Sequence, residues 1–179
     1  LGMPRYIKPV KIKKNGENKI FSVVLGEKAL GEENRKIIEY ANLVSEELGL
    51  KYFLRYHPTC KGDEYDSTTI KQFCIKRDVQ EETIYQMCER SDFSLVRAGT
   101  SVIIDLTYLG HPFFQYFEQW DGKEYNKRNN YFRNYEELRI QISQKEVQQN
   151  EEMFYYYCTT KDVKQSYEQY FESLKLWIK

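Results

Sequence analysis

Between Ser94 and Asp105 the chain reads Ser-Leu-Val-Arg-Ala-Gly-Thr-Ser-Val-Ile-Ile-Asp, a short apolar strand pattern broken by small residues and resumed with helical spacing. A strand, a glycine turn and a helix start in that order have the parts of an anion site. Gly99 lets the backbone come close to a ligand with no Cβ in between. The amides of Thr100 and Ser101 fall where a helix leaves its first N–H groups unpaired and where its dipole favours negative charge. Both hydroxyls can add hydrogen bonds to phosphate oxygens. Asp105 follows about one and a half turns into the helix, where a carboxylate can accept hydrogen bonds from a diol such as ribose. Arg97 ends the strand and can act as a phosphate counter-charge, or pair with a carboxylate such as Asp92 or Glu118. The same residues also fit a purely structural turn, with Gly99 in a tight bend, Thr100 as a helix cap and Asp105 on the exposed face.

His57-Pro58 ends another apolar run. An imidazole there can donate a hydrogen bond to a phosphate oxygen, or pack its ring on a sheet. Lys28, in the loop 26–31, is either a phosphate contact or a solvated loop lysine.

The elements that would position these residues alternate along the chain. Strands are expected over 19–25, 51–56, 71–75, 93–96, 113–117 and 153–158. Helices are expected over 32–48, after a capping box formed by Asp78 and Glu81, from the glycine turn to 109, over 134–148, and over 161–178. In the first helix Ile37, Ala41, Val44 and Leu48 share one face, and Gly49 stops it. This alternation predicts an α/β fold, a Rossmann-like three-layer sandwich with a parallel sheet of about six strands. Ligands of such sheets bind beyond the carboxyl ends of the strands, so the chemistry is expected at residues 26–31, 57–61, 77–79, 97–101 and 117–126. Residues 1–18 read as an arm or linker, and 19–179 as a nucleotide-donor-binding domain.

Composition narrows the function classes. The 27 basic and 27 acidic residues give zero net charge, which argues against a dedicated nucleic-acid binder. Arg5, Lys8, Lys11, Lys13 and Lys14 crowd the start, as a solvated segment or as a contact to an acidic membrane surface or a neighbouring domain. No apolar run approaches the ~20 residues that span a bilayer. Cys60, Cys74, Cys88 and Cys158 show no metal-ligand spacing with His57 or His111, so no zinc site is expected, and a reducing, cytoplasmic compartment is. No GxGxxG follows the first strand, which disfavours a hydride-transferring dehydrogenase.

The run Arg97-Ala98-Gly99-Thr100-Ser101, then Asp105, then Leu109-Gly110-His111-Pro112, resembles the C-terminal, donor-binding domain of GT-B glycosyltransferases. The pattern there is S-R-x-G-(A/S)-x-T-x-x-E followed by A-x-G-x-P. The same region is similar to bacterial glycerol- and ribitol-phosphate transferases, which often carry Asp at the acidic position and a K-x-H-P segment after the second strand. Here that segment is Arg55-Tyr56-His57-Pro58. The resemblance implies the GT-B C-terminal half as the fold. It implies donor phosphates on Gly99, Thr100, Ser101, His57 and Arg97, ribose on Asp105, the base at the loop of Arg77 to Val79, and the sugar at Glu118, Gln119 and Asn126. It further implies a UDP-sugar as donor, no metal or other cofactor, and transfer to a glycan or capsule-type polysaccharide acceptor. The acceptor-binding domain and general base would lie N-terminal to these residues, and the enzyme would work at the inner face of the membrane. A CDP-linked phosphopolyol transferase, or a non-catalytic interaction module that keeps the fold, remains the alternative.

Overall fold

In a computed structural model of the chain, residues 19–60, 65, 69–78, 81–118 and 130–144 are described. The expected strand over 153–158, the helix over 161–178, the basic segment 1–18 and Cys158 lie outside them.

The element order is β1 (Ile20–Val24), a single 3-10 turn (Lys28–Leu30), α1 (Gly31–Leu48), β2 (Lys51–Arg55), β3 (Cys74–Asp78), α2 (Ile84–Arg90), β4 (Ser94–Arg97), α3 (Val102–Tyr108), β5 (Phe113–Tyr116), β6 (Tyr131–Phe132) and α4 (Tyr135–Gln144). The strands form one six-stranded sheet in the order β3-β2-β1-β4-β5-β6. Every pairing is parallel. The fold is therefore the α/β, Rossmann-like sandwich that the alternation of patterns predicts.

The central strands are apolar on both sides because both faces are covered. Phe21, Val23 and Leu25 join Ile37, Ile38, Ala41 and Val44 of α1, and Leu138 of α4, in one cluster. Val24 and Val96 join Met87 and Cys88 of α2 and Ile103 and Leu106 of α3 in the other. Each of the larger buried side chains, Val, Leu, Ile, Phe or Met, contributes about 1.5–3 kcal/mol. Leu48 departs from the expected apolar face of α1: it is 45% exposed, and Ile38 is buried instead. Gly49 closes the helix as expected, its N–H donating to the Ser45 carbonyl at 3.0 Å.

Two expectations need correction. The third strand runs over Cys74–Asp78 rather than 71–75, with Leu54 opposite Arg77 and Arg55 opposite Asp78. Asp78 is thus the last residue of the strand, ahead of the helix N-cap at Thr83. The capping box is Thr83 with Gln86: the Gln86 N–H donates to Thr83 Oγ1 at 3.2 Å and the Thr83 N–H to Gln86 Oε1 at 2.9 Å. Such a cap contributes about 1 kcal/mol. Second, a strand falls at Tyr131–Phe132, where none is expected. Buried Asn130 holds it, its carbonyl accepting from Gln115 N–H at 2.7 Å and its amide donating to the Phe113 carbonyl at 3.3 Å.

No helix among the described residues is long and apolar enough to cross a membrane.

Candidate functional site

The chain runs outward from β1 to β3 on one side and from β4 to β6 on the other, so the order reverses between β1 and β4. The loops after these two strands diverge, leaving a crevice at the carboxyl ends. A cavity of about 250 Å³ fills it. Val24 and Leu25 form its floor, at the end of β1. Arg55, Tyr56, His57 and Pro58 wall one side at the end of β2. Thr100, Ser101, Val102 and Asp105 wall the other, and Ile84 closes the flank from the first turn of α2.

The turn after β4 has the geometry its sequence implies, for a different reason. Gly99 has φ +80°, a conformation that side chains with a Cβ rarely adopt. Space is not the constraint, since a Cβ there would meet only Arg97 Nη1, at 3.9 Å. Thr100 Oγ1 accepts from the Val102 N–H at 3.4 Å. Ser101 stands at the helix N-cap in helical geometry and makes no side-chain capping bond. Asp105 is half-buried, one turn further on.

His57 is fixed by its neighbour. Its Nδ1 lies 2.9 Å from Thr59 Oγ1 and accepts from the Thr59 N–H at 3.3 Å. With Nδ1 as acceptor, the proton of the neutral ring sits on Nε2, which becomes the donor. Thr59 Oγ1 also accepts from the Lys28 N–H at 3.4 Å, so the loops after β1 and β2 are tied together. Lys28 itself is exposed.

Arg55, at the lysine position of the K-x-H-P segment, carries the formal positive charge among the cavity walls and was assigned no role from the sequence. It is only 7% exposed, and its Nη1 donates to the Glu82 carbonyl at 2.5 Å. The available signal was a basic residue closing an otherwise apolar strand.

Arg97 does not line the cavity. It lies on the α1 face, where Nε donates to Glu33 Oε2 at 2.5 Å, Nη2 to Glu33 Oε1 at 3.4 Å and Nη1 to the Ala98 carbonyl at 3.0 Å. Its partner is therefore Glu33, not the Asp92 or Glu118 weighed from the sequence. Glu118 is exposed beyond β5 and pairs with Lys36 of α1, also away from the cavity. Beside that pair the Tyr116 phenol is pushed up to about 12, first by burial and then by the Glu118 carboxylate. Val79, Gln119 and Asn126 lie outside the described residues. Of the residues expected to form one site, His57, Thr100, Ser101 and Asp105 converge, Gly99 adjoins them, and Arg97 and Glu118 stand on the opposite face of the sheet.

No protein-family model matches the chain, and no curated protein matches its sequence. Among solved structures, a variant of the wall teichoic acid polymerase TagF is similar, with a TM-score of 0.54 and 18% identity over 91% of this chain and 44% of that one. At that identity the likeness is one of fold, and it bears out the fold resemblance carried by the 97–112 motif. The chain spans under half the length of that polymerase chain.

Proposed function

We propose that the chain is the donor-binding half of a transferase that uses a nucleoside-diphosphate-linked donor to build a polysaccharide or cell-wall-type polymer. The convergence of His57 with Thr100, Ser101 and Asp105 around one cavity at the switch point carries this reading. The TagF-like fold supports it.

The roles follow from charge and reach. A diphosphate entering the cavity meets the Arg55 guanidinium, the Nε2–H of His57 and the hydroxyls of Thr100 and Ser101. Hydrogen bonds to a charged group such as phosphate are worth about 1.5–3 kcal/mol each. The start of α3, a helix of 7 residues, adds about 0.3–1 kcal/mol. Arg55 and His57 are thus assigned the larger share of phosphate binding, and the helix terminus a smaller one. Asp105 accepts from the ribose hydroxyls. Fixed donors of this kind can stabilise the departing phosphate without a metal ion. The group that deprotonates the acceptor is assigned to a second domain facing these strand ends.

Two donors are compatible with this frame, a nucleotide-sugar and a CDP-linked phosphopolyol. His57 on the cavity wall, aspartate rather than glutamate at 105, and the likeness to a teichoic acid polymerase favour the second. Calorimetric titration with UDP, CMP, CDP and GDP separates them. Preference for the cytidine nucleotides supports the phosphopolyol donor, preference for UDP the sugar donor. Silence towards all four supports a non-catalytic module.

A further inference from the structure

Arg97 and Glu33 form a bidentate pair that joins the last residue of β4 to the first turn of α1. Both side chains are partly buried, at 29% and 23% exposure, so the pair is less screened than a surface ion pair. The third arm of the guanidinium is the informative one. Nη1 donates to the Ala98 carbonyl, the oxygen of the peptide that leads into Gly99.

The peptide before that one is already held, because the Ala98 N–H donates to the Tyr116 carbonyl at 2.9 Å and continues the β4–β5 ladder. The Ala98–Gly99 peptide comes after the ladder ends and opens onto a glycine, the residue with the most backbone freedom. Its orientation decides where the Gly99 N–H points. Carbonyl and N–H of a trans peptide point in opposite directions. With the carbonyl drawn to Arg97 on the α1 face, the Gly99 N–H is turned to the other face, where the cavity lies.

The surrounding loop is shaped for this arginine. A Cβ on Gly26 would stand 3.3 Å from Arg97 Cδ and 2.9 Å from Leu30 Cδ1, so the guanidinium stem passes over a residue that must be small. Gly26 is itself held by buried Asn34, which accepts from its N–H at 2.9 Å and donates to its carbonyl at 3.2 Å. Glu33 and Asn34 are adjacent on α1, so one helical turn holds the carboxyl ends of both β1 and β4.

We propose that the Arg97–Glu33 pair is a positioning device: it aims the Ala98–Gly99 peptide so that the turn after β4 presents its amides to the cavity. This rests on the donor-binding reading of the cavity. Arg97 then acts through the Ala98 carbonyl and touches no ligand.

Two measurements on the 179-residue chain test this, with Glu33→Gln and Arg97→Lys as variants and Lys36→Gln as the control that breaks the neighbouring pair on the same helix. The amide proton–nitrogen NMR resonances of Gly99, Thr100 and Ser101 should move without ligand in both variants, because the peptide that sets their direction loses its hold on the guanidinium. Resonances of β1 and of Ser94 to Val96 should stay in place, and the control should leave residues 99–101 alone. Lysine should not rescue, since one ammonium cannot reproduce the guanidinium fork. CDP affinity should fall by about 5- to 20-fold in the same two variants, the effect of one such bond. Unmoved resonances at residues 99–101, or shifts spread evenly through β1 and β4, overturn the proposal. So does tighter CDP binding by Glu33→Gln, which would mark Arg97 as a direct anion contact released from its partner. A wild-type chain that binds none of UDP, CMP, CDP and GDP overturns the donor-binding reading instead, and the resonances alone then decide whether the pair orients the turn.

Discussion

The imidazole Nδ1 of His57 accepts from the backbone N–H of Thr59 and sits 2.9 Å from its hydroxyl. A neutral ring held in this way carries its proton on Nε2, the donor assigned to the phosphate. Glutamine places its amide nitrogen near the position of Nε2, and asparagine near that of Nδ1. His57→Gln should therefore keep nucleoside diphosphate affinity within about threefold, whereas His57→Asn and His57→Ala should each lose about tenfold, the worth of one hydrogen bond to phosphate. Calorimetry on the three variants checks the order. Equal losses for glutamine and alanine would show that the ring does not donate through Nε2.

Asp105 is assigned to the ribose diol. Asp105→Ala should weaken binding of a ribonucleotide by about tenfold and leave the affinity of its 2′-deoxy analogue almost unchanged, because only the former loses a charge-assisted hydrogen bond. A double cycle of protein variant against ligand variant isolates that term. Additive losses would place Asp105 elsewhere in the site.

Gly99 and Gly31 should respond oppositely to alanine. Gly99 stands at φ +80°, so Gly99→Ala should destabilise by about 1–2 kcal/mol in urea unfolding. Gly31 has φ −53° and ψ −40°, and a Cβ there meets nothing within 4 Å. Gly31→Ala should stabilise by about 0.4–1 kcal/mol, through a less free unfolded chain. Matching signs for the two changes would show that backbone conformation is not what selects glycine at position 99.

Alkaline pH should unfold the chain through its buried phenols. Tyr116 is pushed up to about 12 by burial and then by Glu118. Tyr52 and Tyr135 move the same way, burial first, with Glu47 also holding the Tyr135 hydroxyl. Unfolded phenols titrate near 10. Folded values above that keep the full contribution to stability below about pH 10, and it is lost as pH rises towards 12 and past it. Urea midpoints should therefore hold up to about pH 9.5 and fall from there to pH 11.5. Tyr116→Phe should make that fall shallower. A midpoint flat over this range would contradict the burial of these hydroxyls.

Much of the frame was legible in the residues because β1, β2, β4 and β5 are buried on both faces and read as apolar runs between turn signals. The convergence of His57 with Thr100, Ser101 and Asp105 was legible too, since parallel strands bring all their carboxyl ends to one edge. β3 was misplaced because its register is set by pairing Lys76, Arg77 and Asp78 with the end of β2, and an edge strand of that composition has no apolar period. β6 has 2 residues, too few to show any period, and its place depends on Asn130 bonding to β5. The partner of Arg97 is a tertiary fact: Glu33 is remote in sequence, and no local pattern distinguishes it from Asp92 or Glu118. Arg55 was visible as a charged strand end, but only the fold buries it and turns it into a cavity wall.

The claim that this cavity holds a nucleoside diphosphate is tested most directly by titrating the chain with CDP and UDP beside Arg55→Gln and Asp105→Ala. Binding of at least one nucleotide, weakened about tenfold or more in each variant, is the expected result for losing one charge-assisted contact. Binding that both variants leave intact, or no binding by the unaltered chain, would contradict it.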